Sequence, residues 1–234
     1  MGKTTKILLV ILSILLSKSY ADIDVSQYQQ FWYWAGTKYQ PVLKNAEVVY
    51  LHRGQIDGYK GRSYFKPQSG QGVIASEQKF WLVFRTHTLE WNESIYREIA
   101  RQLAEWQKEG GNVIGIQIDY DVPTQKLTEY IQFLKKLRAW LPEEYQLSIT
   151  GLLDWSRYAN PENLAQLGEV IDELVIQTYQ KRNTIPNYAD YLQNMEKMPF
   201  SFKVGIAQRS DWVNPEYLEK MQGFSGYVVF LQNE

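Results

Sequence analysis

Cysteine is absent from the 234 residues, and histidine occurs only twice. Without cysteine the chain forms no disulfide bond and carries no lipoprotein attachment site, so outside the cytoplasm it must be held together by its hydrophobic core. Hydrophobic residues make up 44% of the sequence, which is ordinary for a globular domain with such a core.

An excess of charge of either sign is also missing, since the formal net charge is −1. This balance excludes a reading based on electrostatic binding to nucleic acid or to an anionic membrane surface. No GxGxxG motif follows an early strand, so a dinucleotide-binding fold has no support and we expect no cofactor. Aromatic residues are plentiful instead, at 15% with 8 Trp and 17 Tyr. Such rings build cores and also line clefts where sugars stack.

The N-terminus is typical of a secretory signal. Lys3 and Lys6 precede an apolar run at 7–16, and Ser19 and Ala21 place small residues where a signal peptidase cleaves. The run of about ten residues is too short to cross a hydrocarbon layer of ~30 Å, although a retained anchor is the alternative. We expect cleavage of residues 1–21, a periplasmic or secreted protein with no membrane span after signal removal, and one domain over 22–234.

Strand and helix signals alternate along the rest of the chain. The apolar, β-prone segments predict strands at 31–35, 46–52, 79–89, 113–121, 146–153, 173–179, 201–207 and 226–231. Helix caps are indicated at Asn92, Thr124, Asn160-Pro161 and Asn214-Pro215. Eight such units predict an α/β fold, a closed (β/α)8 TIM-type barrel. It is somewhat reduced, because residues 55–78 indicate a long loop in place of a helix and no final helix is evident. An open doubly wound sheet is the structural alternative.

The fourth predicted strand ends in two carboxylates. Alternate residues of a strand face opposite ways, so Gln117, Asp119 and Asp121 share one face with Gly115, while Ile114, Ile116, Ile118 and Tyr120 share the other. An unpaired carboxylate deep in a barrel would cost several kcal/mol. We therefore expect the acids at the C-terminal mouth, where enzymes of this fold carry their active sites. The alternative is that Asp121, shortly before Pro123, merely forms a turn.

Other strand ends add polar and aromatic groups to the same mouth. The candidate substrate-binding residues are Arg85, Gln177, Tyr179, Trp81, Trp155, Asp154 and His52. Arg85 is expected to pair with Asp119 and to hold the pKa of that carboxyl down. Trp81 and Trp155 are candidate stacking surfaces or, alternatively, core residues, and the histidines are better explained as hydrogen-bonded structural groups.

Three segments carry a resemblance to known proteins. GIQIDYDVP (115–123), LSITGLLDW (147–155) and ELVIQTYQ (173–180) resemble an uncharacterised bacterial family of secreted (β/α)8-barrel proteins, a domain of unknown function, over most of residues 30–231. More distantly, the first segment is similar to the DGxDxDxE pattern of chitinase-like family 18 glycoside hydrolases. There Gln117 replaces an acid and Asp121 replaces the proton-donating Glu. The MxYD pattern of their sixth strand keeps only Tyr179.

The paired acids, together with the resemblance, favour a carbohydrate-active barrel with a poly- or oligosaccharide as partner. In the glycoside hydrolase interpretation Asp121 is the general acid, poised by a raised pKa, and Asp119 stays ionised. Arg85, Gln177 and Tyr179 would position the sugar. The alternatives are a non-catalytic glycan-binding or cell-envelope assembly protein, and a metal-dependent hydrolase using both acids and a histidine. Against the last, no HxH pair ends a strand, and no metal site is expected.

Overall fold

The computed structural model describes residues 22–68 and 77–233, so the predicted signal segment lies outside the described residues. The strands are β1 (Gln30–Tyr33), β2 (Val48–Tyr59), β3 (Arg62–Pro67), β4 (Lys79–Thr86), β5 (Asn112–Asp119), β6 (Gln146–Leu152), β7 (Glu173–Gln177), β8 (Tyr179–Gln180), β9 (Asn183–Thr184), β10 (Phe202–Ala207) and β11 (Phe224–Phe230). The helices are α1 (Glu93–Lys108), α2 (Leu127–Trp140), α3 (Trp155–Tyr158), α4 (Pro161–Gly168) and α5 (Tyr188–Gln193). In these ranges, no helix combines the length and apolarity that a bilayer crossing requires.

Eight parallel strands form a closed ring. Its order is β1, β2, β4, β5, β6, β7, β10 and β11, and β1 pairs with both β2 and β11. Because both edges of the sheet are joined through β1, the open doubly wound alternative is wrong and the predicted (β/α)8 barrel is confirmed.

Helix signals in the sequence had mixed outcomes. Asn92 caps α1 by accepting from the backbone of Ser94 and Ile95, and Asn160 caps α4 in the same way. Thr124 does not cap α2, because its hydroxyl donates to Asp154 and a 3-10 turn precedes the helix. The helix expected after Asn214 is reduced to a 3-10 turn at Leu218–Lys220. The Asn214 side chain bonds Glu219 and Tyr227 there, and so does not cap a helix.

The segment 55–78 is not the long loop that its glycines suggested. β2 continues to Tyr59 and pairs antiparallel with β3, forming a hairpin between the second and third strands of the ring. Lys60 and Gly61 turn the chain with φ of 50° and 70°, as a tight hairpin turn requires. The prediction failed because glycine and polar residues also occur in exposed hairpins. The described part of 60–78 contains no helix.

The barrel separates two apolar clusters. The larger lies between the strands and the helices, and the smaller fills the barrel interior with Trp32, Val48, Tyr50, Trp81, Val83, Val175 and Val228. Ile114 packs against the interior cluster, so the prediction that it shares the outer face with Ile116 and Ile118 is wrong. The register between β4 and β5 shifts at this point, leaving Ile114 as an extra residue that faces inward.

A chain of hydrogen bonds crosses the lower interior. Trp32 Nε1 donates to Gln117 Oε1 at 2.6 Å, and Gln117 Nε2 donates to Ser148 Oγ at 2.9 Å. Ser148 Oγ in turn donates to Glu173, whose carboxylate also pairs with the Lys203 ammonium. Gln117 is therefore buried with its amide satisfied, and it supports the barrel below the acids.

Candidate active site

A cavity of about 770 Å³ opens at the C-terminal ends of the barrel strands. Of the predicted site residues, its wall includes Arg85, Asp119, Asp121, Asp154, Gln177 and Tyr179. The expectation that the paired acids rise along one inward face to an open mouth therefore agrees with the structure. His52, Trp81 and Trp155 do not line the cavity.

Asp119 is the deeper acid, with 3% of its surface exposed. Its Oδ1 accepts from Thr150 Oγ1 at 2.9 Å and lies 3.5 Å from Gln177 Nε2. Burial raises the pKa of this carboxyl, and although Arg85 acts in the opposite direction, the net direction is upward. The expectation that Asp119 has a lowered pKa is therefore wrong, because desolvation outweighs the ion pair.

Asp121 lies further out, and its side chain is 55% exposed. Arg85 Nη2 donates to Asp121 Oδ2 at 3.0 Å, while Arg85 Nη1 is 3.7 Å from Asp119 Oδ2. One guanidinium thus bridges both carboxylates. Since the Asp121 carboxylate bonds a neighbouring strand and not its own turn, the turn-forming interpretation of this residue is not supported.

Aromatic rings that the sequence interpretation missed complete the wall. Trp34 directly follows β1 and lies under the Arg85 guanidinium at 5.5 Å from the ring centroid. Phe230, the last residue of β11, stacks on Tyr179 with centroids 5.6 Å apart and meets Trp34 edge-on. Strand alternation carried the signal for Trp34, because it lies two residues after the inward-facing Trp32.

Neither predicted stacking tryptophan has an open ring face. Trp81 is 2% exposed and stacks on Tyr50 inside the barrel. Trp155 is fully buried, donates to the Val122 carbonyl at 3.1 Å and packs near Tyr130. Their assignment as sugar-stacking surfaces is wrong, and both are core residues.

His52 supports the cavity from behind. Its ring stacks on Trp34 at 4.1 Å between centroids, and its Nε2 bonds the Gly54 carbonyl at 3.1 Å. Burial lowers the pKa of His52 to about 4, so the imidazole is neutral near pH 7. His52 therefore positions Trp34, in agreement with a structural role.

Two loops after the strands form the remaining edge. Asp154 accepts from Thr124 and so ties the loop after β6 to the loop after β5. Lys181, between β8 and β9, and Asn187, just before α5, have φ of 60° and 57°, and both line the cavity. Within 22–68 and 77–233, no three His, Asp or Glu side chains converge as metal ligands would.

The chain resembles known proteins in part of its sequence and in its fold. The sequence profile of a domain of unknown function, DUF3142, matches residues 87–186. Comparison with the curated proteins gives no significant match. The expected resemblance to an uncharacterised family is confirmed, but over residues 87–186 and not over most of 30–231.

Solved structures supply the second resemblance, to chitinase-like barrels. The spore cortex-lytic enzyme SleL of Bacillus cereus superposes with a TM-score of 0.50 at 16% identity, over 77% of this chain and 50% of that chain. A chitinase-like lectin from tamarind superposes with a TM-score of 0.52 at 11% identity, over 86% and 94%. This chain therefore spans half the length of SleL, and at these identities the likeness shows a shared fold.

Proposed function

We propose that this chain is an exported, carbohydrate-active barrel protein that hydrolyses glycosidic bonds in an oligo- or polysaccharide. The observation that carries the proposal is the pair Asp119 and Asp121, one buried and one exposed, joined by Arg85 in a cavity with aromatic walls. Glycoside hydrolysis needs one carboxyl that keeps a proton and one that is ionised, and different surroundings separate the two roles.

The structure supports an exchange of the roles first expected for the two acids. Asp119, whose pKa is raised by burial, would protonate the departing glycosidic oxygen. Asp121, held by Arg85, would stabilise the positive charge that develops on the sugar ring or activate water. Gln177 and Tyr179 would hold the sugar between them, and Trp34 would offer an aromatic edge beside it.

Two further facts agree with this proposal. SleL, one of the structural neighbours, is described as a spore cortex-lytic enzyme, and it shares the barrel fold. Residues 1–21 carry the pattern of a secretory signal, so the proposed site of action is the periplasm or the outside of the cell.

The test uses the mature chain with Asp119→Asn and Asp121→Asn, each against a panel of cell-wall and storage glycans with product analysis. We expect each variant to lose turnover by about 10²-fold or more while retaining glycan binding. Near-ultraviolet circular dichroism and urea unfolding check that each variant folds. Hydrolysis by both folded variants at the wild-type rate would contradict the proposal.

A non-catalytic glycan-binding or cell-envelope assembly protein is the second candidate. The 3.0 Å contact between Arg85 and Asp121 favours it, because a carboxylate neutralised by a guanidinium is less able to stabilise positive charge on a sugar or to activate water. The tamarind neighbour is described as a lectin, on the same fold. In this case the wild type binds a glycan from the panel without releasing product, and the test above separates the two.

A further inference from the structure

The hairpin of β2 and β3 lies beside β4, the strand that contributes Arg85 to the cavity. The register between β2 and β4 shifts between His52 and Gly54, so that Arg53 is an extra residue in β2. Beyond this bulge Gln55 pairs with Arg85, and paired residues of neighbouring strands share a face. Since Arg85 lines the cavity, the Gln55 face lies on the same side of the sheet as that part of the cavity wall and next to it.

Alternation assigns the residues of this face. On β2 it carries Gln55, Asp57 and Tyr59; on β3 their partners are Lys66, Tyr64 and Arg62. We call this set the hairpin wall. The opposite face carries Phe65, which packs against Phe84, and Ser63, whose carbonyl accepts from the capping residue Asn92. One face is thus packed on the domain, and the other carries side chains that are exposed among the described residues, Tyr59 and Tyr64.

Asp57 fixes the hairpin wall to the barrel. His87 Nδ1 lies 2.6 Å from Asp57 Oδ1, and Lys66 Nζ lies 2.8 Å from Asp57 Oδ2. His87 follows β4 directly and lies two residues after Arg85. The wall is therefore held next to the acids by side-chain contacts as well as by the β2–β3 ladder.

The outer part of the wall combines exposed rings with positive charge. Tyr59 and Tyr64 are 64% and 42% exposed. Lys60 Nζ lies 5.1 Å from the Tyr59 ring centroid, and Lys66 Nζ lies 5.2 Å from that of Tyr64. Exposed Arg62 adds a third cationic side chain, and because Lys66 is paired with Asp57, Lys60 and Arg62 give the hairpin an excess of two positive charges.

Resting on the proposed function, we propose that the hairpin wall binds the carboxylate-bearing part of an acidic glycan chain whose neighbouring sugars occupy the cavity. Tyrosine rings stack on the apolar faces of sugars, and a guanidinium pairs with carboxylates through two parallel hydrogen bonds. The continuity of the wall with Arg85 lets one extended chain contact both surfaces.

The test measures binding by calorimetry, with oligogalacturonate as the acidic probe and chitohexaose as the neutral one. The variants are Arg62→Glu and Tyr64→Ala, and neither side chain bonds Asp57 directly. Matched controls are Arg97→Glu on α1, where the side chain is 67% exposed, and Tyr158→Ala, which removes another exposed ring.

We expect each wall variant to bind oligogalacturonate about tenfold more weakly, with chitohexaose binding and both controls unchanged. The proposal is overturned if the wild type does not bind oligogalacturonate, or if Arg97→Glu weakens binding as much as Arg62→Glu. Equal binding of a DNA oligomer of the same charge would also overturn it, since the wall would then be a general polyanion surface. Because the readout is binding, a wild type without hydrolytic turnover leaves this test intact, and the two proposals fail separately.

Discussion

Because Asp119 is a buried carboxyl group, its contribution to the free energy of unfolding should depend on pH. Its pKa in the folded state is raised above the usual 3.8, so the unfolded state loses its proton first as the pH rises. The stabilisation is fully present below the unfolded pKa and is lost as the pH rises through the folded one. Each unit of difference corresponds to about 1.4 kcal/mol.

Asp119→Asn removes this titration. We expect the free energy of unfolding of the variant to gain on that of the wild type as the pH rises above about 4, and the gain to level off above the folded pKa. Urea unfolding of both proteins across this pH range measures the difference. Parallel pH curves for the two proteins would show that Asp119 titrates normally in the fold.

Single residues of the site were predictable where alternation alone decides their direction. Asp119 and Asp121 follow from counting along β5, and Trp34 could have been found by the same count along β1. The raised pKa of Asp119 could not be predicted from the sequence, because it depends on how completely the neighbouring strands exclude water from this carboxyl. Burial also explains why the prediction for Trp81 was wrong. A tryptophan ring can stack on a sugar, but this one lies inside the barrel.

At the scale of elements, β5 contains a glycine that the packing requires. A Cβ atom at Gly115 would lie 2.1 Å from the Gln146 carbonyl oxygen and 2.6 Å from a ring carbon of Trp81. We expect Gly115→Ala to lower the free energy of unfolding by about 3 kcal/mol or more, because backbone and a buried indole cannot both move aside.

Gly58→Ala is the matched comparison, because the nearest atoms that a Cβ there would meet belong to the Thr88 side chain, at 3.2 Å or beyond. Its effect should stay within about 1 kcal/mol. Both variants are measured by urea unfolding followed by tryptophan fluorescence. Similar stabilities for the two would mean that β5 and β6 can separate without cost at this point.

The barrel strands and their order could be predicted from the sequence, whereas the β-bulges could not. An extra residue at Arg53 and another at Ile114 shift the parity of β2 and β5, and nothing in the local composition announces either. The bulge at Arg53 decides which residues of the β2–β3 hairpin share a face with Arg85. The prediction of a loop at 55–78 therefore did not identify the hairpin wall.

Across the whole molecule, the ion pair of Glu173 and Lys203 joins β7 to β10 at the lower end of the barrel. Tyr50 of β2 donates to the same carboxylate, and Gln30 of β1 accepts from the lysine. Both charged side chains are more than four-fifths buried. Glu173→Gln leaves the Lys203 ammonium without its counter-charge, so we expect a loss of about 3 kcal/mol in the free energy of unfolding.

The double variant Glu173→Gln with Lys203→Met should recover part of that loss, since it removes the unpaired charge as well. Urea unfolding of the two single variants and the double variant gives the coupling energy. A double variant no more stable than Glu173→Gln would show that the lysine tolerates isolation, through Gln30, Tyr50 or solvent.

The ring of strands closes through a short strand pairing between β1 and β11. β1 has four residues and meets β11 over two paired positions, Phe31 with Val229 and Trp32 with Phe230. Trp34 and Phe230 stand at the open end of this join, and both belong to the cavity wall. A ligand that touches both rings would bridge the first and last strands, so its binding free energy would add to the cohesion of the ring. Ligand binding in the cavity should consequently make the barrel harder to open between β1 and β11.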